Sequence, residues 1–249
     1  MNNQQSQSAF SHPDPAINES GKHNGKAETR IKICGLQSVE VLKSMIPLPV
    51  DYIGFVFAKS KRQITPQQAA GLIGVLQQWP DGKRPQSAGV FVNPTMDELG
   101  AVMSTAPLDV IQLHGQETPE FCQQVREVLD VQVFKVISLG GNPQQPELDA
   151  AAQLEMYEGS VDAFLLDTYD PLYGGGSGKT FAWDRIRAYH DWTAARNIPL
   201  FVAGGLNPDN VNALLSGYPL EGIDVSSGVE TDGTKDIAKI KSFVERARS

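Results

Sequence analysis

The 249-residue sequence has few cysteines, no dense cluster of positive charge and no long hydrophobic run. Its two cysteines, Cys34 and Cys122, are too few for a disulfide framework, so we expect free thiols and a cytoplasmic location. With 21 Lys and Arg against 29 Asp and Glu, the formal net charge is -8, which argues against nucleic-acid binding. No segment is apolar for long enough to span a membrane. These absences still allow an anionic small molecule to be held by local groups.

The first 29 residues consist largely of Asn, Gln, Ser, Gly and Lys with scattered apolar residues. They lack the apolar core of a signal peptide and the Arg-rich amphipathic pattern of a transit peptide. This composition predicts a disordered N-terminal extension over residues 1–29. Residues 30–249 are expected to form the fold, since a hydrophobic content of 41% can supply one substantial core.

From Arg30 onward, short apolar runs alternate about eight times with stretches of helical period. The predicted strands are 30–34, 50–57, 87–93, 110–114, 131–137, 163–167, 200–203 and 222–226. The predicted helices are 38–45, 67–78, 96–104, 120–129, 145–157, 184–195, 209–216 and 235–247. Eight βα units favour a single (β/α)8 TIM barrel. An open doubly wound sheet is less consistent, because no glycine-rich fingerprint follows the first strand.

Glycine-rich loops follow the last three predicted strands. In TIM barrels the loops after the seventh and eighth strands commonly bind phosphate, and glycine lets backbone N–H groups approach an anion. Glycines also make ordinary tight turns, but their positions here favour the phosphate interpretation. The predicted phosphate-binding residues are Gly176, Gly178, Gly204, Gly205, Ser227 and Gly228.

Asp167 and Cys34 end two predicted strands and are candidates for proton transfer. A carboxyl group at the mouth of an apolar barrel is disfavoured in its charged form, so Asp167 suits a general acid, although it also suits a helix cap. Cys34 follows Lys32 and precedes Gly35, and it is a candidate thiolate base or nucleophile. A lone buried cysteine is more often a small core residue. Spacing alone does not separate these roles.

Taken together, motifs at every strand except the fifth resemble the phosphoribosylanthranilate isomerase family of tryptophan biosynthesis. The resemblance runs from Arg30 to the end of the sequence. Its motifs are Lys32-Ile33-Cys34-Gly35, Gly54-Phe55-Val56-Phe57-Ala58-Lys59-Ser60-Lys61-Arg62, Gly89-Val90-Phe91-Val92-Asn93, Gln112-Leu113-His114-Gly115, Leu165-Leu166-Asp167, Gly175-Gly176-Ser177-Gly178-Lys179, Gly204-Gly205-Leu206-Asn207-Pro208 and Asp224-Val225-Ser226-Ser227-Gly228-Val229-Glu230. The loop between Asp167 and Phe181 departs from the family pattern by one extra glycine.

The resemblance implies a (β/α)8 fold and an Amadori rearrangement of N-(5-phosphoribosyl)anthranilate to 1-(2-carboxyphenylamino)-1-deoxyribulose 5-phosphate, without metal or organic cofactor. It implies that Cys34 is the general base and Asp167 the general acid. At the pH of the reaction, Asp167 must then hold a proton while Cys34 has lost one. This calls for a raised pKa at Asp167 and a lowered pKa at Cys34.

Three further residues take roles from the same resemblance. Arg62 is expected to hold the anthranilate carboxylate through paired hydrogen bonds, although alone it suits a solvated basic turn. Asp224 either orients active-site groups or binds backbone in a barrel layer, and His114 is expected to support the fourth strand end. Both a monomer and a homodimer remain open.

Two alternatives compete with this interpretation. A different phosphate-binding barrel, such as indole-glycerol-phosphate synthase or a sugar-phosphate epimerase, calls for lysine and glutamate, or for histidines and paired aspartates with metal. A catalytically silent barrel that binds a phosphorylated ligand is the other alternative. Retention of both Cys34 and Asp167 argues against the silent barrel.

Overall fold

In a computed structural model of the chain, residues 28–139, 149–167 and 183–249 are described. Eight parallel strands close into a barrel in sequence order, so the predicted (β/α)8 fold is confirmed. The N-terminal extension up to residue 27 and the loop with Gly176 and Gly178 lie outside the described residues. Glu28 and Thr29 are described, and the Thr29 hydroxyl donates to the Leu220 carbonyl at 3.0 Å.

The barrel strands are β1 (Arg30–Cys34), β2 (Tyr52–Val56), β3 (Gln86–Phe91), β4 (Val110–Leu113), β5 (Gln132–Ser138), β6 (Ala163–Asp167), β7 (Leu200–Ala203) and β8 (Gly222–Val225). The helices are α1 (Val39–Ser44), α2 (Pro66–Leu76), α3 (Met96–Thr105), α4 (Pro119–Leu129), α5 (Ala150–Glu155), α6 (Trp183–Ala194), α7 (Val211–Gly217) and α8 (Ile237–Arg248). None of these helices, which are those of the described ranges, is long and apolar enough to cross a membrane.

Local capping explains where several helices begin. Thr65 accepts the Gln68 N–H while the Gln68 side chain accepts the Thr65 N–H, which caps α2 from both sides. Thr95 and Glu98 do the same for α3. Thr118 accepts the Phe121 N–H before Pro119 opens α4.

The core has two layers. Inside the barrel, Tyr52, Phe134 and Phe201 form an aromatic cluster with ring centroids 5.2–5.6 Å apart. A larger apolar layer lies between the strands and the surrounding helices, as expected for strands buried on both faces. Because the aromatic cluster uses residues near the amino ends of the strands, the carboxyl ends are left for polar side chains.

A short hairpin follows β8 and was not predicted. Ser227–Val229 form a 3-10 turn, after which β9 (Glu230–Thr231) pairs antiparallel with β10 (Thr234–Lys235). The last helix was predicted from residue 235, but Lys235 belongs to β10 and α8 begins at Ile237. Asp236 sets this start, because its side chain accepts the N–H groups of Ala238 and Lys239.

Candidate active site

Asp167 ends β6 at the carboxyl end of the barrel. Its side chain is 19% exposed, and its Oδ2 lies 3.5 Å from Nε2 of His114, which follows β4. The backbone around this pair is fixed, since the Asp167 carbonyl accepts the Leu139 N–H at 2.9 Å and His114 donates its N–H to Phe91 at 2.9 Å. His114 was expected to support the strand end only; the structure brings it to the carboxyl group with the predicted acid role.

Cys34 ends β1 and is 7% exposed. Its neighbour across the strand pair is Gly54 of β2. A Cβ placed on Gly54 would lie 2.7 Å from the Cys34 Sγ and 2.9 Å from its Cα, which no real side chain tolerates. Glycine at position 54 therefore creates the space that the thiol occupies.

A buried ion pair lies beside the thiol, inside the barrel. Lys32 of β1 and Asp224 of β8 face each other in the strand register that closes the barrel, and Lys32 Nζ lies 3.0 Å from Asp224 Oδ2. Burial opposes the charge on Lys32, yet Asp224 and the thiol attract it strongly enough to raise its pKa. Of the two roles predicted for Asp224, orientation of a neighbouring side chain fits this contact better than binding to backbone.

The pKa of the Cys34 thiol is raised, contrary to the expected lowering. Burial is the main cause, and the positive charge of Lys32 opposes it only in part. The Asp224 carboxylate adds to the rise, and Lys235 opposes it. The lowered pKa was expected because the two proton transfers call for opposite protonation states at one pH. In the structure, desolvation of the nearly buried thiol outweighs the positive charges of Lys32 and Lys235.

Arg62 lies in the loop after β2, next to Cys34. Its Cδ is 2.6 Å from where a Cβ on Gly35 would stand, so the side chain crosses the residue that follows the thiol. The guanidinium is bound by Glu230 through Nε to Oε1 at 2.5 Å and Nη2 to Oε2 at 2.8 Å. This side chain is therefore held in place and is not part of a solvated basic turn.

The loops after β7 and β8 pack backbone against backbone. Gly204 and Gly205 have φ of +92° and +65°, in the left-handed region that glycine adopts without strain. A Cβ on Gly228 would overlap the carbonyl oxygen of Leu206, so these two loops meet only because residue 228 is glycine. The N–H groups of Ser227 and Gly228 open a 3-10 turn and therefore have no partner within it.

The structure thus brings most of the predicted residues to one end of the barrel. Gly176 and Gly178 lie outside the described residues, so their position stays a prediction. Sequence reasoning assigned no role to Lys32, Glu230, Lys235 or Ser226. Three of them, Lys32, Ser226 and Glu230, lie in the motifs around β1 and β8, and this was the signal that could have identified them. Lys235 was instead predicted to begin a helix. In the described ranges, no group of three or more His, Cys, Asp or Glu side chains is arranged to hold a metal ion.

Comparison of the chain with known protein families agrees with the motifs and with this geometry. A family model described as N-(5'phosphoribosyl)anthranilate (PRA) isomerase matches residues 31–246. The chain belongs to this isomerase family. The family predicted from the motifs is therefore confirmed. The isomerase of Brevibacillus brevis is 49% identical over 221 residues, which cover 89% of this chain and 94% of that protein. The isomerase of Listeria innocua is 40% identical over 218 residues, covering 88% and 97%.

Solved structures of isomerase family members are also similar. Phosphoribosyl anthranilate isomerase from Thermotoga maritima superposes with a TM-score of 0.72 at 36% identity, covering 88% of this chain and 98% of that one. A structure in complex with reduced 1-(o-carboxyphenylamino)-1-deoxyribulose 5-phosphate gives 0.69 at 33% identity, with coverage of 88% and 98%. The chain is thus an aldose-ketose isomerase of tryptophan biosynthesis that acts on N-(5'-phosphoribosyl)anthranilate.

Proposed function

We propose that Asp167 and Cys34 perform the two proton transfers of an Amadori rearrangement. Asp167 protonates the ribose ring oxygen, and the furanose opens to a protonated imine. The positive charge acidifies the adjacent sugar C–H, and the Cys34 thiolate removes that proton. The resulting enolamine tautomerises to the ketone product. The observation that carries this assignment is that the two groups end β1 and β6 at the same end of a closed barrel.

The raised pKa of the Cys34 thiol fits this order of events. Before the ring opens, burial favours the neutral thiol. Ring opening creates a cation on the substrate next to Cys34, and an adjacent positive charge favours the thiolate. The thiolate is therefore favoured in the step that uses it as a base. The positive charges of Lys32 and Lys235 favour the thiolate in every step.

The remaining residues bind and orient the two ends of the substrate. Arg62 holds the anthranilate carboxylate, because its guanidinium lies beside Cys34 and offers paired N–H donors. The phosphate binds backbone N–H groups of the loops with Gly204, Gly205, Ser227 and Gly228, joined by those of Gly176 and Gly178. Asp224 orients Lys32, and His114 orients the Asp167 carboxyl group.

The decisive experiment follows turnover of freshly generated phosphoribosylanthranilate by the loss of anthranilate-type fluorescence. We expect Cys34→Ser and Asp167→Asn each to lower kcat by about 10²–10⁴-fold, the range for loss of one general acid or base. Cys122→Ser is the matched control, since Cys122 is the other buried free cysteine, lies in α4 and not on a barrel strand, and has no proposed role, so this variant should keep normal turnover. Normal rates in either active-site variant would refute the acid and base assignment. An inert wild-type protein would favour the silent barrel.

We further propose that the chain works in the cytoplasm as a monomer or homodimer that binds a small-molecule substrate and no nucleic acid. Both cysteines are free, which suits a reducing compartment. The net charge of -8 disfavours nucleic acid. A Thermotoga maritima relative is described as dimeric, which supports the homodimer alternative.

A further inference from the structure

Glu230 binds one edge of the Arg62 guanidinium and leaves another edge available. Glu230 takes the Nε and Nη2 donors at 2.5 and 2.8 Å. A guanidinium has five N–H donors arranged around a plane, so two are used here. The other three, on Nη1 and Nη2, have no partner among the described residues. These three donors include a complete second edge for a bidentate carboxylate.

Glu230 is itself fixed from its other side. Lys235 Nζ lies 2.5 Å from Glu230 Oε1 and also donates to the Ser226 carbonyl at 3.0 Å. The two residues are paired across the hairpin of β9 and β10, and Lys239 Nζ donates to the Glu230 carbonyl at 2.7 Å. The Glu230 side chain is only 5% exposed. The carboxylate therefore has little freedom to follow Arg62 if that side chain moves.

The same network reaches the backbone of the proposed base. Ser226 Oγ donates to the Cys34 carbonyl at 3.1 Å, and Lys235 Nζ lies 3.3 Å from that hydroxyl oxygen. Arg62 crosses Gly35, directly after Cys34. Glu230 thus connects the loop after β2 to the loop after β8, with the thiol between them.

We propose that Glu230 is a positioning residue for the substrate: it orients Arg62 so that the Nη1/Nη2 edge receives the anthranilate carboxylate. This inference rests on the proposed role of Arg62. An arginine side chain has many rotamers, and fixing it during folding removes an entropic cost from substrate binding. A competing model, in which Glu230 occupies the edge that the substrate needs, predicts the opposite change when Glu230 is altered.

The test compares two stable ligands that differ by one carboxylate. The first is reduced 1-(o-carboxyphenylamino)-1-deoxyribulose 5-phosphate, and the second is its counterpart made from aniline. In Glu230→Gln we expect Kd for the first ligand to rise by about tenfold or more, the loss typical of a misplaced charged hydrogen bond. The aniline counterpart should change by less than about twofold, since it makes no bond to Arg62.

A double-mutant cycle with Arg62→Met separates positioning from a general effect on the site. Once Arg62 is gone, Glu230→Gln should not weaken the carboxylated ligand further. Tighter binding of that ligand in Glu230→Gln would support the competing model and overturn ours. Equal loss for both ligands, or an undiminished loss in the Arg62→Met background, would also overturn it.

Two further variants control for folding. Glu230→Asp keeps the negative charge beside Lys235 but shortens the side chain, and it should again weaken only the carboxylated ligand; equal loss for both ligands would overturn the proposal. Glu117→Gln breaks another buried pair, Glu117 with Lys135 at 2.8 Å, and should lower stability without changing the ratio of the two Kd values. Failure of the proposed function would give different results. The wild type would show no turnover, or Arg62→Met would still bind the carboxylated ligand more tightly than the aniline counterpart.

Discussion

At the scale of single residues, Lys32 supports the proposed role of the nearly buried Cys34 thiol as a base. The Cys34 pKa is raised by burial, and Lys32 is the strongest opposing influence. Lys32 in turn stays charged because Asp224 lies 3.0 Å away. The proposed acid–base chemistry therefore depends on a lysine that lies in the Lys32-Ile33-Cys34-Gly35 motif but received no role of its own from the sequence.

Replacing Lys32 tests this dependence. In Lys32→Met, burial and the Asp224 carboxylate both favour the neutral thiol, so the thiol pKa should rise further. Alkylation of Cys34 by iodoacetamide at pH 8 should slow on the order of tenfold, and its pH dependence should shift upward. Adding Asp224→Asn should restore part of the rate. Lys43→Met, at an exposed helix position, should leave alkylation unchanged, and an unchanged profile in Lys32→Met would show that burial alone sets the pKa.

Individual site residues were predictable to different degrees. Cys34 and Asp167 were recognisable because each ends an apolar strand, where a polar side chain must face the barrel mouth. The contact of Arg62 with Glu230 was not, because the two positions are 168 residues apart and only the closed barrel joins them. The direction of the Cys34 pKa shift also needed the structure, since burial depends on packing that spacing does not reveal.

At the scale of elements, the loop after β8 takes part in both proposed substrate-binding sites. Its first part carries Ser227 and Gly228 against the β7 loop, and its second part forms the hairpin that holds Glu230. One short segment therefore contributes to the proposed binding sites for both ends of the substrate. The hairpin was missed in the sequence because strands of two residues show no periodicity.

Substituting Gly228 should disturb the phosphate site through the backbone. The Cβ of Gly228→Ala would overlap the Leu206 carbonyl and lie 2.9 Å from the Asn207 Cβ, so the loops after β7 and β8 must separate. We expect Kd for inorganic phosphate and KM for substrate to rise by about tenfold or more, because several N–H donors move together. Gly217→Ala is the control, since nothing lies within 4 Å of its Cβ position. Unchanged phosphate affinity in Gly228→Ala would place the phosphate elsewhere.

The strands were the most predictable elements, and the helix ends the least. Each barrel strand is a buried apolar run, so its position follows from composition, and capping residues such as Thr65 and Thr118 set helix starts locally. The seventh helix was predicted from residue 209 but begins at Val211, because the Asn207 side chain accepts the Asp209 N–H and forms a turn there.

At the scale of the whole molecule, Glu230 should contribute to stability in a pH-dependent way. Burial acts to raise its pKa, but hydrogen bonds from Arg62 and Lys235 outweigh it and lower the pKa to about 2. A carboxyl group with a lowered pKa in the folded state stabilises the protein above its unfolded pKa and loses that contribution as pH falls. Here the loss should run from about pH 5 to about pH 2.

Comparing wild type with Glu230→Gln isolates this contribution. At pH 7 the variant should be less stable by on the order of 3 kcal/mol, since Arg62 and Lys235 lose their shared counterion. The difference in free energy of unfolding should shrink as pH falls towards 2, where wild-type Glu230 also becomes neutral. Urea unfolding at several pH values measures it. Glu245→Gln, at an exposed ion pair, is the control and should leave the decrease in stability at low pH unchanged. A difference in free energy of unfolding between wild type and Glu230→Gln that does not depend on pH would contradict the lowered pKa of Glu230.

Closure of β1 against β8 also has a kinetic consequence. Lys32 with Asp224 and Cys34 with Ser226 each join positions 192 residues apart. Contacts of such sequence separation carry a loop-closure entropy cost that opposes their formation, and they slow folding. A molecule with seven strands assembled has a hydrophobic interior and most of its helices in place, yet its thiol lacks both its lysine–aspartate partner and its anchoring hydroxyl. We therefore expect enzymatic activity to appear only once β1 closes against β8, and to report completion of the fold more strictly than helical content does.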